Sequence, residues 1–229
     1  MSTLIEKSAD MEKRYEGGID TWGNRERKLY QKILKKGVQY CFDECHNDES
    51  IICWFDIGAG GGNVWDTIEE NIPSGVKLFL KGCDISPVAI EHLQTRGNFR
   101  DDVDHEAILV DLEEYDHSGV SILRDRLNHA NIVSLIDVAY YFGEKRPWKN
   151  TMDEIWESLS AGTIVIVADS LIPYQRRSYF STKDDCICLH DYTDYTVPVS
   201  DEVREDGRKW HRYLKVKIYM KVAKDKEGN

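Results

Sequence analysis

The chain has 229 residues, 41 acidic against 30 basic, a formal net charge of −11, 41% hydrophobic residues and 31% charged ones. That composition describes one ordinary soluble domain, able to bury roughly 70% of the surface its unfolded chain exposes without metal or disulfide staples. The acidic surplus repels phosphate backbones and anionic headgroups and argues against nucleic acid and membrane as partners. No apolar run reaches the ~18 residues of a membrane span, and the leading MSTLIEKSADMEKRYEGG lacks the basic-then-apolar order of a secretory signal, so a cytoplasmic setting is expected.

Residues 1–24 read as an N-terminal arm or lid, rich in Gly and charge towards Asn24, with Tyr15 and Trp22 as its large aromatics; residues 25–229 read as a single domain. Leu29, Ile33, Cys41 and Cys45 recur at steps of four or eight, with Leu34 and Val38 beside them, which predicts an amphipathic helix over 25–46. Strand-like runs then alternate with helix-period stretches. Strands are expected at Ile51–Ile57, Val76–Ile85, Ala107–Asp111, Ile132–Asp137 and Thr163–Asp169, and helices at Val64–Ile72, Pro87–Arg96, Ser118–Asn128 and Trp148–Leu159. Such alternation means βαβ units and a parallel sheet.

After Pro173 the rhythm changes to two strands, Cys186–Pro198 and Arg212–Ala223, with no convincing helix between them; an antiparallel pair closing the sheet is expected. The lysines of the last strand, Lys215, Lys217 and Lys221, suit an edge or a solvated face. The six cysteines fall as C-x-x-x-C (Cys41, Cys45), C-x-C (Cys186, Cys188) and the singletons Cys53 and Cys83, which is not the paired C-x-x-C of structural zinc, so reduced thiols and no metal are expected.

The strongest signal is Phe55-Asp56-Ile57-Gly58-Ala59-Gly60-Gly61-Gly62-Asn63, a Gly-rich turn between a strand and a helix. Glycines let the backbone turn sharply and let a ligand lie against main-chain N–H groups at a helix N-terminus. The spacing is G-x-G-x-G after an acid, not the G-x-G-x-x-G of dinucleotide folds. Asp84 ends the second strand, where a carboxylate can accept both hydroxyls of a ribose, and Asp111 ends the next apolar run.

With D-I-G-A-G-G-G at 56–62, C-D-I-S at 83–86 and V-D-L at 110–112, the chain resembles the class I S-adenosylmethionine-dependent methyltransferases over roughly residues 51–223. The resemblance implies a Rossmann-like α/β fold: a seven-stranded, mostly parallel sheet with an antiparallel C-terminal strand beside the fifth, and helices on both faces. It implies S-adenosylmethionine as cofactor, with Asp56, Gly58, Ala59, Gly60 and Gly62 around the methionine moiety, Asp84 and Ile85 at the ribose, Asp111 and Leu112 at the adenine, and Asp137 near the methionine end. A short stretch, Asp20-Thr21-Trp22 before Arg25–Lys28, also resembles the nodulation-type small-molecule N-methyltransferases.

The acceptor must sit at the C-terminal ends of strands four to six. Candidates there are Tyr141 and Asp169, with His190 as a base near neutral pH, in a pocket completed by Trp22, Tyr140 and Tyr174. Asp137 and Asp169-Ser170 resemble in part the metal site of the catechol O-methyltransferases, with Ser where those enzymes have Asn; serine is the poorer ligand, and no metal is expected. Asp137–Phe142 lacks the Asn/Asp-Pro-Pro-Tyr/Phe signature of amine-of-base methyltransferases. The expected activity is therefore methyl transfer to oxygen or nitrogen of a small polar molecule. The alternatives are a metal-assisted O-methyltransferase, an RNA or protein methyltransferase, or an inactive binding protein of the same fold. Nothing in the sequence excludes a homodimer. Charge is uneven: eight acids and no Lys or Arg lie in 101–116, whereas Arg204–Asn229 carries nine Lys/Arg against four Asp/Glu, the best place for an anionic partner.

Overall fold

The computed structural model describes residues 27–45, 50–62, 64–97, 100–114, 119–143, 145–169, 176, 178–203 and 209–224. The proposed lid at 1–24, with Trp22, and also Ser170 and Tyr174, lie outside them. Helix α1 (Arg27–Tyr40) runs into a π-helical turn (Cys41–Cys45) and is followed by β1 (Ile51–Ile57), α2 (Trp65–Asn71), β2 (Lys77–Asp84), α3 (Pro87–Thr95), β3 (Val103–Leu109), α4 (Gly119–Asn128), β4 (Ile132–Ile136), α5 (Trp148–Ser158), β5 (Ile164–Asp169), β6 (Cys186–Val203) and β7 (Lys209–Lys221). They form one seven-stranded sheet in the order β3-β2-β1-β4-β5-β7-β6. β7 is antiparallel to both β5 and β6, and the other strands run parallel, as expected.

The central strands are mostly apolar because both their faces are covered. With period two, Ile52, Trp54, Leu78, Leu80, Ile132, Ile164, Ile166, Val216 and Ile218 pack on one face with α1–α3. Phe55, Ile57, Val133, Leu135, Val165, Val167 and Tyr219 pack on the other with α4 and α5. Helix α1 lies very close to the sheet: a Cβ on Gly37 would stand 2.5 Å from Ile166 Cδ1. Among the described residues no helix is long and apolar enough to cross a membrane. Five cysteines, Cys41, Cys53, Cys83, Cys186 and Cys188, are free thiols.

Two sequence expectations are corrected. β3 begins at Val103, four residues before the apolar run, and stops two residues short of Asp111. It is an edge strand, and its polar residues are bound to neighbours: Asp104 to Lys77 at 3.0 Å, His105 to Glu69 at 2.9 Å, and Glu106 to Lys81 at 3.0 Å and Arg126 at 2.7 Å.

The lysines of β7 do not mark an edge, because β7 lies between β5 and β6. Lys217 and Lys221 are only 6% and 8% exposed. Lys217 pairs with Asp191 at 2.9 Å, and Lys221 Nζ donates to the carbonyls of Trp156 and Leu159 at 2.7 and 2.8 Å, capping the C-terminus of α5. Lys221→Met keeps the stem and strips both carbonyls of their donor, so a loss of about 1–3 kcal/mol is expected. Urea denaturation should show a lower midpoint with an unchanged slope.

Candidate functional site

The strand order reverses between β1 and β4, and in open α/β sheets the ligand crevice lies outside the C-terminal ends of the strands at that point. The Gly-rich turn fills one side of it. Gly58, Gly60 and Gly62 adopt φ of +71°, +54° and +84°, a region open to glycine and costly for other residues. The turn is tied to the end of β2: the amides of Gly58 and Ala59 donate to the Cys83 carbonyl at 2.9 and 3.0 Å, and the Gly60 amide donates to Asp84 Oδ2 at 2.9 Å. A Cβ on Gly58 would lie 2.4 Å from Val138 Cγ2, and one on Gly62 would lie 2.7 Å from Leu93 Cδ2, so turn and walls meet with no room for a side chain.

Asp84 is 8% exposed. Its Oδ1 accepts the Ser86 amide at 2.9 Å, and Ser86 in turn caps α3 by accepting the Ala89 amide at 3.3 Å. Burial pushes the Asp84 carboxyl up, while the Ser86, Gly60 and Ile85 amides pull it back. Ile85 is half-buried beside it. Asp56 lies deeper, 2% exposed, beneath the turn. Its Oδ1 accepts from Ser134 Oγ at 2.6 Å and its Oδ2 from Trp65 Nε1 at 3.1 Å; Ser134 Oγ itself accepts from Trp54 Nε1 at 2.8 Å. Burial raises the Asp56 carboxyl to about 7, the two donors oppose this, and the charge of Asp84 adds to it.

On the far side of the crevice, Asp111 and Leu112 follow β3. Asp111 Oδ1 accepts the Glu113 amide at 2.9 Å and Oδ2 pairs with Lys145. The Glu113 carboxylate accepts the amides of Gly143 and Lys145, and Arg146 Nη2 donates to the Leu112 carbonyl at 3.0 Å. The loop after β3 is thus sewn to the loop after β4. Gly119 opens α4 directly against this loop: a Cβ there would stand 1.9 Å from the Asp111 carbonyl oxygen. Arg146 also grips Glu154 with both Nη atoms at 2.6 and 3.0 Å and Thr151 Oγ1 with Nε at 3.0 Å. Arg146→Lys keeps the charge but loses the planar fork, and a destabilisation of about 2 kcal/mol in urea denaturation is expected.

Asp137 follows β4 with φ +53°, the left-handed residue among the described non-glycines, and its amide donates to Ala168 of β5 at 2.8 Å. Such backbone outliers cost about 1–3 kcal/mol and concentrate at functional sites. Tyr141 ends the 3₁₀ turn Ala139–Tyr141 and is half-buried. Arg176, beyond β5, donates to the carbonyls of Ala139 and Phe142 at 3.2 and 2.7 Å and holds that turn. Asp169 ends β5, its backbone opposite Lys215.

His190, expected as a base, lies on β6, two strands outwards from β5. It faces Ile218 of β7, which faces Ile166 of β5, three residues before the strand end. Its Nδ1 lies 3.2 Å from Tyr40 Oη on α1, and burial together with Lys36 and Lys32 lowers its pKa. Sequence reasoning missed Trp65, Ser134, Glu113, Lys145, Arg146 and Arg176. Of these only Trp65, a large aromatic one turn past the glycines, carried a local signal.

No family model matches the chain, and no curated protein matches it by sequence. Solved structures share its fold. It superposes on the N-methyltransferase NodS from Bradyrhizobium japonicum WM9 in complex with S-adenosyl-L-homocysteine with a TM-score of 0.60 at 11% identity, covering 94% of this chain and 98% of that one. For the plantazolicin methyltransferase BpumL in complex with a monoazolic desmethylPZN analog and S-adenosylhomocysteine, the TM-score is 0.58 at 13% identity, covering 97% and 100%. For the CurJ carbon methyltransferase it is 0.54 at 11% identity, and the chain, 86% of which is covered, spans 55% of that one. The chain therefore shares its fold with solved methyltransferases, among them NodS and BpumL, whose structures hold S-adenosylhomocysteine.

Proposed function

We propose that the chain is an S-adenosylmethionine-dependent methyltransferase acting on the oxygen or nitrogen of a small polar molecule in the cytosol. The observation that carries this reading is the Gly58–Gly62 cradle, too tight for side chains and pinned to a buried Asp84, at the crevice where the strand order reverses. These residues fit the cofactor. The glycine turn leaves bare backbone against the methionine moiety, the Asp84 carboxylate keeps lone pairs for ribose hydroxyls, and Asp111 and Leu112 border the adenine edge.

The bound cofactor supplies a methyl group on an electrophilic sulfonium. The chain's own work is positioning. Asp137, whose backbone N–H donates a hydrogen bond to the Ala168 carbonyl of β5, and Tyr141, on a turn clamped by Arg176, would border the acceptor side of the crevice together with Asp169 at the end of β5. The net charge of −11 supports a small acceptor over a polyanion. Calorimetry with S-adenosylmethionine and S-adenosylhomocysteine tests the cofactor, and a panel of small polar acceptors scored by release of S-adenosylhomocysteine tests the transfer. Failure of both ligands to bind overturns the reading.

A further inference from the structure

Asp56 and Asp84 are two buried carboxylates that influence each other electrostatically, and among the described residues neither is paired with Lys, Arg or His. Among the described residues their donors are neutral: the indole of Trp65 and the hydroxyl of Ser134 for Asp56, the amides of Gly60, Ser86 and Ile85 for Asp84. The neighbouring basic side chains are engaged elsewhere. Arg96, whose guanidinium stands 5.6 Å from the Trp65 ring, binds Asp66 at 2.6 Å and Glu69 at 3.0 Å, and His105, with its ring 5.3 Å from that of Trp65, binds the same Glu69. The Cys83 thiol, buried beside both acids, is pushed far up and stays neutral. Buried negative charge held only by dipoles gains most from a cation brought in from outside.

Trp65 is seated for its part. Its ring lies across β2 at Gly82, where a Cβ would come within 2.7 Å of Cζ2, and it is fully buried with its N–H on Asp56.

Building on the methyltransferase reading, we propose that the Asp56–Asp84 pair beneath the glycine turn makes the site prefer the cationic sulfonium cofactor over its uncharged thioether product, and that Trp65 is the positioning residue that keeps Asp56 ionised. The sign follows from the carboxylate: its charge is present above a midpoint of about 7 and lost below it, so the preference holds in mild base and fades in mild acid.

The experiment is calorimetry of the full chain with S-adenosylmethionine and S-adenosylhomocysteine between pH 6 and 8, on wild type, Asp56→Asn and Trp65→Phe, with circular dichroism for folding. In wild type the ratio of the two affinities should shift towards S-adenosylhomocysteine by about tenfold as pH falls from 8 to 6. Asp56→Asn should lose that component and retain only the titration of the ligands' own amines. Trp65→Phe removes a donor to the charged form and should move the midpoint to higher pH, an effect that loss of packing alone does not produce. A ratio independent of pH in wild type, or one that titrates identically in Asp56→Asn, overturns the proposal while leaving the methyltransferase reading in place. If Asp56→Asn does not fold, an unmoved midpoint in Trp65→Phe overturns it. Binding of neither ligand defeats both.

Discussion

Asp84→Ala should weaken binding of S-adenosylmethionine and S-adenosylhomocysteine alike by about a hundredfold or more, because one carboxylate serves the turn, the helix and the proposed ligand. Without it the Gly60 and Ser86 amides, both donors at 2.9 Å, lose their acceptors in a place water hardly reaches. Each such loss costs about 1–3 kcal/mol, and each 1.4 kcal/mol is tenfold in affinity when the freed group belongs to the binding turn. The acceptor for the ribose hydroxyls goes as well. Asp84→Asn, which keeps the shape and one carbonyl oxygen, should fall in between, near tenfold. Calorimetry on folded protein decides it, and unchanged affinity in Asp84→Ala removes Asp84 from the site.

Gly58→Ala should cost about 3–4 kcal/mol of stability. Part is backbone, since φ is +71° and alanine pays at least about 1 kcal/mol there. The rest is collision, since the new Cβ would sit 2.4 Å from Val138 Cγ2 and 2.6 Å from Val138 Cβ. The two parts separate in a double-mutant cycle. Val138→Ala removes the Cγ contact but neither the Cβ contact nor the φ strain, so Gly58→Ala in that background should recover about 1 kcal/mol and no more. Full recovery would mean that the turn tolerates the backbone strain; no recovery would mean that Val138 does not form the wall. Urea denaturation of the four chains measures this directly.

The legible parts of the fold were those where a single physical demand shaped a contiguous run. β1, β4 and β5 are covered on both faces and therefore read as near-continuous apolar runs, broken by Asp56 and Ser134, and the turn at Gly58–Gly62 needs three glycines in left-handed conformations. Where two demands compete, local reading failed. At the edge, β3 opens with Val103-Asp104-His105-Glu106, whose charges suggest a loop until Lys77, Glu69, Lys81 and Arg126 are seen to hold them. In β7 the same alternation of lysines that signals solvent in an edge strand instead reaches Asp191 and the end of α5.

The site divides in the same way. Asp56, Asp84 and Asp111 were visible from their places after strands, but what each binds was not, because Ser134 lies 78 residues from Asp56 and Lys145 lies 34 from Asp111. How far His190 stands from the switch point depends on strand order, since β7 lies between β5 and β6.

The stitched loops have an evolutionary consequence. Glu113 belongs to the segment after β3, yet its carboxylate accepts from Gly143 and Lys145 in the segment after β4, whose preceding turn Arg176 clamps from beyond β5. Three loops that would otherwise vary independently are joined through one acid and one guanidinium. A substitution in any one of these segments is therefore felt in the other two, so the crevice wall can be remodelled only along paths that leave Glu113 and Arg176 satisfied.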